Sequence, residues 1–72
     1  NNPKKIIAKL DFSNIYILDS GNRRIVVLNK KGDAVYTLVS SSFTDLVDFE
    51  VDEKGKTIYV LNGASLLKIL LP

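Results

Sequence analysis

Every apolar run in this chain is short and is bounded by residues that favour turns. Residues 15–18 and 25–28 are apolar throughout, whereas residues 47–52 alternate between apolar and acidic side chains. Runs of four to eight aliphatic, β-branched and aromatic residues between polar clusters are typical of β-strands. We therefore predict seven strands, which span residues 6–11, 14–19, 24–29, 34–39, 46–52, 57–61 and 65–71.

The segments between these strands contain the residues that tight turns require. Gly32 can take a positive φ in the turn at 30–33, Gly55 lies in the turn at 53–56, and Asn62-Gly63 is a strong hairpin signal. No segment has the periodicity of a long amphipathic helix, and Thr44 could begin at most one helical turn. The pattern predicts an all-β chain of antiparallel strands.

The clearest feature of the pattern is an internal repeat. Residues 15–18 (Ile-Tyr-Ile-Leu) return 43 residues later as residues 58–61 (Ile-Tyr-Val-Leu). A period of roughly 40–45 residues with several short strands in each copy is the period of a β-propeller blade. We predict a first blade of four strands over residues 1–42 and a second blade of three strands, lacking its fourth, over residues 43–72.

Two strands of the first predicted blade are apolar on both faces. A strand with one face in water usually alternates in polarity, so residues 15–18 and 25–28 are expected in a sheet that is covered on both sides. Two blades alone would each leave one face bare, and the second blade would also have an unpaired edge. We therefore expect copies of the chain to associate, and three or four copies would complete a propeller of six or eight blades.

Composition limits the chemistry that the chain can perform. Its 72 residues include no cysteine and no histidine, which excludes disulfides and thiolate metal sites and removes the usual neutral-pH general base. The net charge is +2, but seven basic and three acidic residues give residues 1–36 a net +4, and three basic and five acidic residues give residues 37–72 a net −2. This asymmetry either favours head-to-tail contact between copies or is ordinary scatter of surface charge. Because the chain begins Asn1-Asn2-Pro3 and contains no methionine, we interpret it as an excised or processed piece, or as an engineered one.

Residues 15–28, followed by a basic pair and Gly32, resemble the NHL repeat of β-propellers. The family pattern is an apolar strand, Asp-Ser, Asn-x-Arg-Ile, a second apolar strand and a turn with glycine. Residues 6–39 would be one whole blade of this kind. Residues 46–71 resemble a second, diverged blade, which has Gly-Ala-Ser in place of the Asn-x-Arg element.

The resemblance implies mainly structural roles for the motif residues. Asp19 would pair with Arg24 or cap the turn that holds it, because a guanidinium can bridge a carboxylate and nearby carbonyl groups. Some NHL propellers bind single-stranded RNA on a basic face, so an RNA-binding patch stays an alternative. The structural positions are Asp19, Asn22, Arg24, Gly32, Gly55, Asn62 and Gly63, and the residues of the alternative patch are Arg23, Arg24, Lys30 and Lys31.

Acidic side chains line one face of the strand predicted at 46–52. Asp48, Glu50 and Asp52 do not have the spacing of a calcium loop, and strand alternation alone produces such a row, so we predict neither a metal nor another cofactor. In the repeat alignment Lys9 falls opposite Glu50. We expect these two residues to pair between adjacent blades, near the central channel.

The predicted function follows from what the sequence contains and lacks. It has no catalytic serine motif and no glycine-rich phosphate loop, so catalysis is not predicted. We predict a noncatalytic β-propeller piece that acts as a protein-interaction scaffold, without a membrane partner. It is either a fragment of a larger propeller or a repeat module that associates with other copies of itself. The alternative is a single-stranded RNA-binding module, which the low net charge disfavours. A further alternative is that the strands pair differently, in a small sandwich or a swapped dimer.

Overall fold

The computed structural model describes residues 4–72, which form two antiparallel sheets. Each strand pairs with the next one along the chain, so each sheet is a simple meander, and neither sheet closes on itself. The first sheet contains β1 (Lys5–Ile7), β2 (Asn14–Asp19), β3 (Arg24–Asn29) and β4 (Ala34–Val39). The second sheet contains β5 (Leu46–Asp52), β6 (Thr57–Asn62) and β7 (Ser65–Leu70).

The all-β class and the division into four and three strands are confirmed. The bounds of β2, β3, β4 and β5 agree with the prediction, while β6 ends one residue later and β7 one residue earlier than predicted. The first predicted strand, at 6–11, is wrong in its bounds. The amide of Phe12 donates to the carbonyl of Lys9 at 3.1 Å, so the chain turns where the alternation of residues 8–11 had suggested an extended strand.

The short helical segment lies elsewhere than the sequence suggested. A single 3-10 turn spans Ser20–Asn22 and is followed by Arg23 in the left-handed conformation, with φ of 53°. Around Thr44 the chain forms a turn, in which Phe43 donates its amide to Ser40 at 3.0 Å. None of the helical structure within residues 4–72 is long and apolar enough to cross a membrane.

Two glycines provide backbone conformations that other residues adopt only with strain. Gly32, between β3 and β4, has φ of 93°, and Gly63, between β6 and β7, has φ of 58°. At Gly32 there is open space around the position of a Cβ, so the positive φ, rather than crowding, explains the glycine. Both hairpins therefore form where the sequence placed their turns.

The hydrophobic core lies between the two sheets. The first sheet contributes Tyr16 and Leu18 from β2, and the second contributes Ile58 and Val60 from β6, all with 1% exposure or less. The remaining members of this cluster are Ile7, Ile25, Val27, Phe43, Leu46, Phe49 and Val51. One face of each sheet is thus buried against the other sheet, and the opposite face points away.

Replacing a core leucine should cost far more than replacing an exposed one. Leu18 is fully buried and Leu10 is fully exposed, so the same change to alanine tests the two environments directly. We expect Leu18→Ala to lower the free energy of unfolding by about 2–5 kcal/mol and Leu10→Ala to change it by less than about 0.5 kcal/mol. Urea denaturation followed by circular dichroism measures both. Equal losses in the two variants would contradict the position of the core.

Candidate functional site

Glu53 joins the two sheets at the beginning of β2. One oxygen of its carboxylate accepts the Ser13 amide at 2.7 Å, and the other accepts the Asn14 amide at 3.0 Å and the Tyr16 hydroxyl at 2.7 Å. Asn14 and Tyr16 belong to β2 and Ser13 directly precedes it, whereas Glu53 belongs to the turn after β5. The carboxylate therefore ties the beginning of β2 to the end of β5.

The hydrogen bond between Tyr16 and Glu53 shifts the pKa values of both residues. Burial raises the pKa of Tyr16, and the hydrogen bond to the Glu53 carboxylate raises it further. Burial alone would also raise the pKa of Glu53, but the hydrogen bonds from Ser13, Tyr16 and Asn14 outweigh burial and lower it. At neutral pH the pair is thus a neutral phenol that donates to an ionised carboxylate.

Lys5 forms the second polar link between the sheets. Its ammonium group lies 2.9 Å from the Asp48 carboxylate and 3.7 Å from that of Glu50, and it also donates to the Phe49 carbonyl at 3.3 Å. The hydrogen bond to Asp48 raises the pKa of Lys5, and the same bond lowers the pKa of Asp48. β1 and β5 are each the first strand and an edge strand of their sheets, so the link joins these two edges, which together we call the inner edge.

The lysine beside Glu50 is therefore Lys5, and the structure does not place Lys9 there. The Lys9 ammonium group lies 5.2 Å from the centre of the Phe12 ring, a cation–π distance, and its carbonyl accepts the Lys30 ammonium at 3.0 Å. The predicted alignment paired Lys9 with Glu50 at an offset of 41 residues. The 43-residue offset that aligns β2 with β6 instead places Lys5 opposite Asp48, and this was the signal that could have found the link.

Asp19, Asn22 and Arg24 come together as the motif suggested. One oxygen of the buried Asp19 carboxylate accepts the Arg24 guanidinium at 2.8 Å and the Asn22 side-chain amide at 3.0 Å. The hydrogen bond from Asn22, followed by that from Arg24, lowers the pKa of Asp19. These contacts close the 3-10 turn between β2 and β3, which is a structural role.

Asn62 and Gly63 fix the entry to the second sheet. The side-chain Oδ1 of Asn62 accepts the Thr44 amide at 3.0 Å and the Asp45 amide at 2.8 Å, while the NH2 of the same side chain donates to the Thr44 hydroxyl at 3.1 Å. The Gly63 amide donates to the Asp45 carbonyl at 2.8 Å. The hairpin between β6 and β7 thus holds the loop that precedes β5.

The carboxylate row on β5 is occupied by protein contacts. Asp48 and Glu50 face Lys5, and Asp52 accepts the Gly55 amide at 2.9 Å. A Cβ on Gly55 would meet the Asp52 carboxylate, so a larger residue here would require that side chain to move. Within residues 4–72 no three acidic side chains are grouped as metal ligands.

The four residues of the alternative RNA patch do not form one cluster. Arg23 and Arg24 lie at the beginning of β3, whereas Lys30 and Lys31 follow its end. A six-residue strand separates the two pairs by roughly 17 Å at about 3.3 Å per residue. Arg24 is bound to Asp19, and Lys30 is bound to the Lys9 carbonyl. The exposed basic side chains thus belong to two separate turns.

The first sheet has an apolar outer face, which we call outer face 1. It contains the residues that alternate with the buried ones on the four strands, and most of them are half-buried in the isolated chain. Ile6 and Val39, at its edges, are 58% and 71% exposed. The large apolar members of outer face 1 are Ile6, Ile15, Ile17, Val26, Leu28, Val35 and Val39.

The second sheet has a corresponding outer face 2. Leu66 and Leu70 on β7 are 70% and 72% exposed, and Tyr59 and Leu61 on β6 are also exposed. A shallow cavity of about 130 Å³ opens on this face between β5, β6 and β7, with Leu61 and Leu66 in its lining. Outer face 2 consists of Tyr59, Leu61, Leu66, Lys68 and Leu70, with Asp48 and Glu50 at its inner edge.

No protein-family model, curated protein or solved structure matches the chain. The NHL resemblance therefore stays a prediction, and the functional interpretation depends on the contacts described above. The candidate site is the pair of outer faces, because they carry large aliphatic side chains that are more than half exposed. The Glu53 link was missed from the sequence, since an acidic residue in a turn gives no indication of a partner 40 residues away.

The Glu53 link predicts a specific dependence of stability on pH. Because the pKa of Glu53 is lower in the folded chain than its ordinary value near 4.5, its contribution is present above that value and is lost as the pH falls through the folded-state pKa. We expect Glu53→Gln to lower the free energy of unfolding by about 1–3 kcal/mol at pH 7, with a smaller difference from the unmodified chain at pH 3. Urea denaturation at both pH values measures this.

Glu50→Gln is the matched control, because it makes the same change at an exposed carboxylate of the same strand region. Its ion pair with Lys5 is solvent-exposed, so its loss should cost less than about 1 kcal/mol. Asp19 and Asp48 also have lowered pKa values, so part of the acid sensitivity should persist in Glu53→Gln. A Glu53→Gln variant as stable as Glu50→Gln would show that the link contributes nothing.

Proposed function

We propose that this chain is a noncatalytic β-propeller module that associates with other copies of itself and serves as a protein-interaction scaffold. The observation that carries the proposal is that each of its two sheets has an apolar outer face in addition to the face buried in the core. In a two-layer protein with a polar exterior, each sheet has one apolar face, which is buried. In this chain each sheet has two apolar faces.

The exposed side chains support association through these faces. Ile6, Val39, Leu66 and Leu70 are each more than half exposed, and they are large aliphatic residues in regular strands. Contiguous apolar patches of several hundred Å² are rare on monomeric proteins and mark sites of protein contact. Burying one such side chain contributes roughly 1.5–3 kcal/mol, so several of them supply a substantial driving force.

The size of the chain supports the same conclusion. A domain of 72 residues buries a modest fraction of its surface on folding, and this one has no disulfide to compensate. Contact with further copies is a source of stability that short repeat units commonly use, because each unit covers the open face of its neighbour. Within the described residues the second sheet has three strands, and β7 is an edge strand with unpaired backbone groups.

The noncatalytic part of the proposal has its own support. The ionisable groups with perturbed pKa values have structural explanations: Glu53 holds β2, Lys5 holds β5 at Asp48, Asp19 closes a turn, and burial raises the pKa values of Tyr16 and Tyr36. The sequence also lacks histidine and cysteine, the two most versatile catalytic side chains at neutral pH.

The absolute mass in solution tests the proposal. We expect light scattering after gel filtration of the 72-residue chain to give a discrete multiple of its 8.0 kDa mass, with three or four chains, over a range of concentrations. Because the contact is apolar, the mass should change little between 50 mM and 500 mM salt. A mass of 8.0 kDa throughout, at concentrations up to the millimolar range, would overturn the proposal.

A further inference from the structure

The two sheets bury opposite faces of the same repeat. At the 43-residue offset, Tyr16 and Leu18 correspond to Tyr59 and Leu61, yet the first pair is buried and the second pair is 40% and 38% exposed. Ile58 and Val60 are fully buried, whereas their counterparts, Ile15 and Ile17, belong to outer face 1. The contact within the chain therefore joins one face of the first repeat to the other face of the second.

The strand register extends this correspondence to the neighbouring strands. Tyr16 lies opposite Val27 just as Tyr59 lies opposite Lys68, and Leu18 lies opposite Ile25 just as Leu61 lies opposite Leu66. Outer face 2 is thus the second copy of the surface that the first sheet buries in the core. Four positions show this: Tyr16 and Tyr59, Leu18 and Leu61, Ile25 and Leu66, and Val27 and Lys68.

Outer face 1 is in the same way a second copy of the surface that the second sheet buries. Ile15 lies opposite Leu28 as Ile58 lies opposite Ile69, and Ile17 lies opposite Val26 as Val60 lies opposite Leu67. Every one of these positions is aliphatic in both repeats. The two exposed faces therefore match the two halves of a contact that the chain already makes.

We propose that copies of this chain associate head to tail, with outer face 2 of one copy on outer face 1 of the next, in a contact that repeats the one between the two sheets. The inference rests on the proposed function, self-association, and specifies which surfaces meet. Two positions of outer face 2 depart from the apolar character of their counterparts: Lys68 corresponds to Val27, and Glu50 corresponds to Ile7. A lysine can bury its stem while its ammonium group reaches water, and Glu50 lies at the edge of the face beside Lys5.

Charge along the inner edge supports this arrangement. Lys5 of β1 corresponds to Asp48 of β5 at the same offset, because Ile7 lies opposite Tyr16 as Glu50 lies opposite Tyr59. Within one chain these equivalent positions form the 2.9 Å ion pair. A head-to-tail neighbour would bring its Lys5 to the Asp48 side of the first copy, so charges of opposite sign would alternate along the inner edge.

The geometry also limits the size of the assembly. A contact between two different surfaces produces either a closed ring or an open filament. Since each copy supplies two sheets, a ring formed in this way contains an even number of blades, and the range of four to eight blades corresponds to two, three or four copies. A symmetric contact, with like face on like face, stops at a dimer, so a mass of three or four chains excludes it and a mass of two chains requires the face variants below to identify the contact.

Two variants that each block one face test the proposal. Val26→Lys places a charge on outer face 1 and leaves outer face 2 intact, whereas Leu66→Lys does the opposite. Ala64→Lys makes the same change of charge in the exposed turn between β6 and β7 and serves as the control. Circular dichroism establishes that each variant is folded, and light scattering gives the mass of each alone and of the two face variants mixed in equal amounts.

Head-to-tail contact predicts that Val26→Lys and Leu66→Lys are each monomeric alone and form a dimer of twice the 8.0 kDa chain mass when mixed. Ala64→Lys should assemble like the unmodified chain. A dimer formed by either face variant alone, or no dimer in the mixture at millimolar concentration while the unmodified chain assembles, would overturn the inference. An unmodified chain that is itself monomeric would instead overturn the proposed function, so the two failures are distinguishable.

Discussion

The apolar contact between the two sheets is the interaction on which the other features of this protein depend. Ordering each residue costs about 1–2 kcal/mol of backbone entropy, and a chain this short recovers that cost only by burying nearly every large side chain that faces inward. Tyr16, Phe49 and their neighbours do this between the sheets. A single three- or four-stranded meander would have no second layer to supply such a core.

The hydrophobic effect is non-directional, so apolar burial alone does not fix how one sheet is oriented on the other. Polar contacts are needed for that. Glu53 holds the backbone at the start of β2, and Lys5 holds the inner edge of β5. The two links lie at different places along the contact between the sheets, and together they select one orientation among the many that would bury a similar apolar area. The neutral hydroxyl of Tyr16 adds a third bond without adding a second charge.

The sequence was sufficient for the strands that carry their own turn signals. The bounds of β2 and β3 follow from apolar runs that end at Asp19 and Asn29, and the positive φ of Gly32 and Gly63 agrees with turn chemistry. The first strand could not be placed, because its end depends on a tertiary contact.

That contact is made by Phe12, whose ring packs edge to face on Tyr16 with the centroids 5.9 Å apart. The ring anchors the chain after the short β1, whereas the local alternation of residues 8–11 suggests that the strand continues. Contacts between the sheets, such as those of Glu53, could not be predicted from local sequence patterns for the same reason, because their partners are distant in sequence. The repeat offset, applied consistently, was the one long-range signal available, and it identifies Lys5 and Asp48 as equivalent positions.

The opposite burial of equivalent residues has a consequence for how such a chain can evolve. A repeat whose two faces complement each other gains a compatible neighbour whenever its coding segment is duplicated, because the new unit meets a surface that its predecessor was already shaped to cover. No new recognition surface has to arise before the longer chain folds. The two copies can then diverge, as they have at the equivalent positions Val27 and Lys68, where one repeat has an aliphatic residue and the other a lysine. Such unequal units can develop a surface that is specific for other proteins.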